Sequence, residues 1–497
     1  MDILSDCRKL DELLLDPAKS LKERSQINVP FFDWHIMFND VFNRPNGANG
    51  FDIVIGNPPY VQLQSNEGAL AKMYEDAQFA SFTRTGDIYC LFYERGWQLL
   101  KNGGHLCYIT SNKWMRAGYG EKLRKFIANS TNPKMLIDFA GLKIFESATV
   151  DTNILLFEKG KNKRNTICVN ANKDYRNCLH NLSNFVQQQH TVNAFTSSDS
   201  WVILSPIEQS IKQKIEAVGV PLKDWDIQIN YGIKTGCNEA FIINTEKRNE
   251  ILDNCKDEAE RKRTEELIRP ILRGRDIKRY EYSWADLYLI ATFPARHYDI
   301  EQYPAVKAYL LSFAEDYLRK NGCEWVVADY LADYCRQKLS QTGKFIVING
   351  TELSISGKKE KARKKTSNKW FETQDSISYW EDFDKPKIVY PETTQGAYFA
   401  FDDKGFYIDK TCFILISNDA EYLQHTLSSR LFEFAYKCIF ASVELGEHGY
   451  QYNKHALVKL PVIKPSKSFK FDDNDIDSQI YKLYNISKTQ IDEIESI

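Results

Sequence analysis

The chain has 497 residues, with 65 Lys and Arg against 67 Asp and Glu and a formal net charge of −2. That length admits roughly two to four domains with separate cores, and the near-neutral balance excludes a nucleic-acid binder that works through overall charge, leaving only local basic patches for such contacts. Eleven cysteines without a Cys-x-x-Cys pair, and eight histidines without a cluster, predict no metal site and reduced thiols in a cytoplasmic setting. Met1 to Asp6 has no basic start, and no stretch approaches the roughly 18 apolar residues of a membrane helix, so neither secretion nor a membrane partner is expected.

In chain order, residues 1–28 read as a polar helix, because Leu10, Leu13, Leu14 and Leu21 recur near helical spacing among charges. Residues 51–56, Phe-Asp-Ile-Val-Ile-Gly, read as an apolar strand. A helix over 87–100, with Asp87 as its N-cap, stops at Asn102-Gly103-Gly104 and is followed by a strand at 105–110. A helix over 119–129 leads to strands at 134–139 and 153–159. This alternation predicts a parallel, doubly wound α/β sheet, in which ligands sit outside the carboxyl ends of the strands. Gly47-Ala48-Asn49-Gly50 precedes a strand and reads as a surface loop. Beyond residue 161, short strands punctuated by Gly and Pro predict a mixed α+β, β-rich recognition module. Residues 472–497 read as one acidic amphipathic helix, with Ile476, Ile480, Leu483 and Tyr484 on one face. The expected boundaries are 1–160, 161–465 and 466–497.

Asn57-Pro58-Pro59-Tyr60, at the carboxyl end of the 51–56 strand, is the motif that carries chemistry. An Asn side-chain oxygen and the carbonyl of the first Pro can both accept hydrogen bonds from a planar exocyclic amine, leaving its nitrogen lone pair directed at a methyl donor, and Tyr60 can stack on the ring that bears the amine. Two prolines lock φ and push their predecessors to extended geometry, so the loop is stiff. The competing reading is an ordinary turn after a strand.

The resemblance extends well beyond four residues. Gly50-Phe51 through Tyr60-Val61, then Gly86-Asp87-Ile88-Tyr89-Cys90-Leu91-Phe92, Leu99-Leu100-Lys101-Asn102-Gly103-Gly104 and Tyr108-Ile109-Thr110-Ser111-Asn112-Lys113-Trp114, resemble the gamma-class N6-adenine DNA methyltransferases of restriction-modification systems, most of all the large type IIG polypeptides. Tyr231 to Phe241, Pro270 to Ile277, Lys385 to Glu392, Gly405-Phe406-Tyr407 and Thr411-Cys412-Phe413 resemble a TaqI-like specificity domain. The resemblance implies S-adenosylmethionine as cofactor and double-stranded DNA as partner. Asn57 and Pro58, in a loop completed by Pro59, would accept from the adenine N6 amine. Tyr60 and Phe145 would sandwich a base extruded from the duplex, and Phe92 would pack on the cofactor's adenine. Phe145 as a loop core residue, and Phe92 as helix core, are the structural alternatives.

One departure matters. The family's Gly-rich cofactor turn and the acidic residue for the ribose hydroxyls have no match in residues 1–56. The chain is therefore expected to start inside the catalytic domain, with an open apolar edge at the 51–56 strand and an upstream-encoded polypeptide supplying the cofactor turn. For DNA contacts the candidates are Arg273, Arg275, Lys278 and Arg279, beside Gly274, where the backbone can approach closely and Arg can read guanine. The cationic run Lys358, Lys359, Lys361, Arg363, Lys364 and Lys365 suits phosphates or is a solvated loop. Two other functions compete: methylation of glutamine or RNA guanine, which share a planar amine-type nitrogen, and a DNA-binding specificity component or inactive remnant. His35 and His105 have no evident role.

Overall fold

The computed structural model describes residues 33–139, 142, 144–145, 150–171, 181–320, 345–348, 351–354, 368–440, 444–445, 449–466, 469–472 and 474–496. The expected helix at 1–28 and all six candidates between 358 and 365 lie outside the described residues. The chain divides into two compact units, one reaching Gln209 and one starting at Ser210.

The first unit is built on one sheet. Strands β1 (Phe51–Gly56), β2 (Leu100–Ser111), β3 (Asn132–Asp138), β4 (Thr152–Glu158), β5 (Thr166–Asn170) and β6 (Thr191–Asn193) lie in the order β1-β2-β4-β3-β5-β6. The α/β class is as expected, but the strand direction is mixed rather than all parallel. β1 runs parallel to β2 and β3 parallel to β5, while β4 is antiparallel to both β2 and β3 and β6 is antiparallel to β5. β4, whose residues are all buried or half-buried, suits an interior position, and local hydrophobic alternation cannot distinguish such an insertion from another parallel step. The sheet also runs past residue 160 to take in β5 and β6.

Helices α1 (Tyr89–Leu99) and α2 (Glu121–Ser130) bring Tyr89, Tyr93, Leu123 and Ile127 onto Leu106, Leu155 and Phe157 of the sheet, in one core with Trp114 and Trp201. Burying such side chains stabilises the fold by about 1.5–3 kcal/mol each. A polar thread runs through this core. The Tyr93 hydroxyl meets Thr110 Oγ1 at 2.9 Å, and Asn153 Oδ1 accepts from Thr110 Oγ1 at 3.0 Å and from Trp114 Nε1 at 3.2 Å.

Gly47 to Gly50 is not a simple surface loop. Gly50 is buried at φ +116°, and a Cβ there would lie 2.5 Å from the Lys101 amide nitrogen, so only glycine lets this segment approach β2. At the opposite extreme, β1 is an edge strand among the described residues, with Ile53 66% and Ile55 76% exposed.

The second unit holds two four-stranded sheets. With β7 (Ile227–Tyr231), β8 (Ile242–Asn244), β9 (Ile268–Leu272), β10 (Leu287–Ile290), β11 (Lys387–Pro391), β12 (Ala400–Asp402), β13 (Tyr407–Ile408) and β14 (Cys412–Ser417), the orders are β13-β9-β10-β8 and β12-β11-β14-β7. Between β11 and β12 the Lys387 ammonium is paired with Asp402 at 2.5 Å, both side chains fully buried. Asp402 also accepts from the Tyr282 hydroxyl and the Lys404 and Phe406 amides, so the charge is thoroughly compensated. The expected single helix at 472–497 is instead two, α3 (Ile476–Leu483) and α4 (Lys488–Glu495). Asn485 takes φ +51° and Ser487 opens α4 with a reciprocal capping box to Gln490, which breaks the helix. Among the described residues no helix is long and apolar enough to cross a membrane.

Candidate functional site

β1 delivers Asn57 to the carboxyl end of the sheet, where its side chain is exposed while Pro58 is buried and Tyr60 half-buried. The Tyr60 hydroxyl lies 2.9 Å from Asn57 Oδ1 and 3.4 Å from the Ile109 carbonyl near the end of β2, so it donates to the nearer oxygen. Burial, and then the Asp87 carboxylate, raise the Tyr60 phenol above its ordinary range, which keeps it a donor. An amide oxygen has two lone pairs, so Asn57 retains one acceptor position. Among the described residues no donor takes the Pro58 carbonyl. Two carbonyl-type acceptors thus stand together on a stiff loop.

The loop is tied down on its far side as well. Val61 N–H donates to Asp87 Oδ1 at 2.9 Å, the Ile88 amide donates to the Val61 carbonyl at 2.9 Å, and the Leu63 amide donates to the Gly86 carbonyl at 2.9 Å. Asp87 does not occupy the N-cap position of α1, which falls on Ile88; its carboxylate reaches across to the loop. Burial raises the Asp87 carboxyl above its usual range, against the pull of the Val61, Tyr89 and Ile88 amides.

Beneath Tyr60, the Tyr89 ring stands edge-on at 6.1 Å, and the Tyr89 and Tyr119 hydroxyls are 2.6 Å apart. Tyr119 belongs to a turn anchored by buried Arg124, which donates to the Trp114, Ala117 and Ser198 carbonyls. Burial lowers the Arg124 guanidinium to about 10. Phe92, on α1, is not core: it is 39% exposed. Phe145 is half-buried.

The second unit contains a cleft of about 850 Å³. Arg275 and Lys278 line it and are exposed, as are Lys234 and Lys410. Lys278 stands 5.8 Å from the centre of the Tyr398 ring. Arg273 also borders the cleft, but Asp276 holds it through Nε at 2.9 Å and Nη2 at 2.8 Å. Arg279 is held by Asp477 and the Ser428 carbonyl. Gly274 is required for packing: a Cβ would meet Thr411 Oγ1 at 2.9 Å and Pro391 at 3.3 Å. Sequence reasoning passed over Lys234 and Lys410, although each lies in or beside a stretch that carries the resemblance.

Residues 4–145 match the model of the Eco57I restriction-modification methylase, and residues 342–462 match that of the TaqI-like C-terminal specificity domain. The chain carries an Eco57I-type methylase domain and a TaqI-like specificity domain. The methylase match includes the Asn57 loop, Asp87 and Phe92. The specificity match takes in the Pro391–Thr411 side of the cleft, while Lys234, Arg275 and Lys278 precede it.

Among curated relatives, the type II methyltransferase M.BstVI of Geobacillus stearothermophilus is 22% identical over 483 residues, covering 90% of this chain and 75% of that protein. The type II methyltransferase M.PaeR7I of Pseudomonas aeruginosa is 24% identical over 272 residues, covering 52% of this chain and 45% of that protein. The chain thus spans less than half of the latter's length. Among solved structures, the Type IIL restriction-modification enzyme MmeI in complex with DNA aligns with a TM-score of 0.45 and 12% identity, over 94% of this chain and 56% of that one.

Proposed function

We propose that this chain methylates adenine N6 in double-stranded DNA as part of a restriction-modification system of the type IIG kind. The observation that carries the reading is the pairing of an exposed, oriented Asn57 carboxamide with a Pro58 carbonyl that no donor among the described residues engages. Two acceptors so placed polarise both protons of a planar amine and hold its nitrogen in position, so the gain comes from orientation and electrostatics and needs no general base. Pro59 keeps the loop stiff, and the Tyr60 and Phe145 rings hold the extruded base. The exposed cations Arg275 and Lys278 contact DNA, whereas Arg273 and Arg279 support that surface from within their ion pairs.

S-adenosylmethionine supplies the electrophilic methyl group. The exposed ring of Phe92 fits the cofactor's flat adenine. It offers nothing for the ribose hydroxyls or the amino-acid end, and we assign those to an upstream-encoded polypeptide that pairs with the open β1 edge and covers Ile53 and Ile55.

The test is methyl transfer from labelled S-adenosylmethionine to DNA from a host without its own DNA methylation, by the chain alone and with the upstream-encoded protein, with modified bases located by single-molecule sequencing. N6-methyladenine at a defined sequence supports the reading. Sequence-selective DNA binding without methylation in either setting replaces it with a DNA-binding specificity component.

A further inference from the structure

Asp87 spends its side chain on another segment of the chain. Its Oδ1 accepts the Val61 N–H at 2.9 Å across 26 positions of sequence, and the neighbouring Ile88 and Gly86 backbones complete the tie to residues 61 and 63. The amide that it grips belongs to the peptide linking Tyr60 to Val61. The other end of Tyr60 is fixed by its hydroxyl on Asn57. Tyr60 is thus held both at its phenol and at its following peptide plane.

We propose that Asp87 is a positioning residue for methyl transfer: by fixing the Tyr60–Val61 peptide it sets where the Tyr60 ring and the Asn57 oxygen meet the target base. This rests on the methyltransferase reading above. Two observations extend its role beyond capping a helix. Beside the Ile88 and Tyr89 amides at the start of its own helix, its carboxylate also takes the Val61 amide of the loop, and the group is half-buried beside Tyr60, whose phenol it influences directly. The role requires one acceptor oxygen and no proton transfer, so Asn can replace Asp where Ala cannot.

The experiment compares Asp87→Ala and Asp87→Asn with the unaltered full chain, together with the upstream-encoded protein where that is needed for activity. Two readouts are taken: steady-state methylation, and amide hydrogen exchange of the segment covering residues 57–63, with residues 152–158 as an internal measure of fold. Asp87→Ala is expected to lower kcat by about 10- to 100-fold, as a misplacement near 1 Å does, with KM for DNA changed by no more than about twofold, since uniform binding is untouched. Exchange at 57–63 rises while 152–158 stays protected. Asp87→Asn is expected to keep both readouts near those of the unaltered chain.

An Asp87→Ala chain that exchanges and turns over like the original overturns the proposal. So does an Asp87→Asn chain damaged as badly as Asp87→Ala, because that would make the charge, and not the acceptor, the requirement. If the unaltered assembly transfers no methyl group to DNA, the methyltransferase reading fails, and the positioning role falls with it. The exchange comparison then still reports whether Asp87 holds the loop.

Discussion

The Tyr60 hydroxyl donates to the Asn57 carboxamide oxygen at 2.9 Å, so within the same tetrapeptide one aromatic ring sets the orientation of the polar group beside it. The ring and the hydroxyl can be separated. Tyr60→Phe keeps an aromatic face and removes the bond, and a neutral hydrogen bond is worth about 0.5–1.5 kcal/mol, so methylation is expected to slow by roughly 2- to 12-fold. Tyr60→Ala removes the stacking face as well and is expected to abolish the fluorescence rise of 2-aminopurine placed at the target base. Equal damage in the two variants would show that stacking plays no separate part.

The same bond sets a pH expectation. Burial and Asp87 hold the Tyr60 phenol above its ordinary range, so ionisation that would turn this donor into an acceptor comes later than for a free tyrosine, which titrates near about 10. The rate should show no loss assignable to Tyr60 up to that pH, and the Tyr60→Phe profile should have the same alkaline limb as the original.

In the cleft, exposed and engaged cations should behave differently. Arg275→Ala and Lys278→Ala are expected to weaken DNA binding and to reduce the salt slope by about one each, with melting temperature unchanged. Arg273→Ala deprives nearly buried Asp276 of two bonds and should cost about 1–3 kcal/mol of stability. Binding titrations at several salt concentrations, beside thermal melts, check both.

Asp402→Ala leaves the fully buried Lys387 ammonium without its carboxylate. Removing one member of such a pair costs about 3–5 kcal/mol, a loss read directly as a lower urea midpoint. Replacing both residues together with apolar ones should recover much of it.

Ile55→Lys tests the open edge. With 76% of the residue exposed, the substitution should leave the melting temperature within the small range typical of surface changes, about 0.5 kcal/mol. It should nevertheless disrupt pairing with the upstream-encoded polypeptide proposed above, as read in light-scattering measurements. Undiminished pairing would move that contact elsewhere.

How far the sequence could be read depended on how local each feature is. Asn57 at a strand's carboxyl end follows from an apolar run ended by Pro-Pro, and β1 and α1 lie close to where pattern places them. The break at Asn485 left its mark as a Ser487–Gln490 capping pair, yet the apolar spacing runs through it and suggests one helix. The antiparallel insertion of β4 depends on which strands become neighbours, which periodicity does not record. Nor does it record partners: Arg279 finds Asp477 198 positions away, whereas Arg273 finds Asp276 only three away, and composition alone makes the two arginines look as available as Arg275.

That last contrast bears on how such a surface changes over generations. Arg273 and Arg279 are part of the frame, while Arg275 and Lys278, interleaved with them, are drawn into no ion pair among the described residues. Positions 275 and 278 can therefore be exchanged one side chain at a time while the scaffold beneath keeps its bonds. Inheritance can experiment with the lining of this cleft without first having to repair the fold.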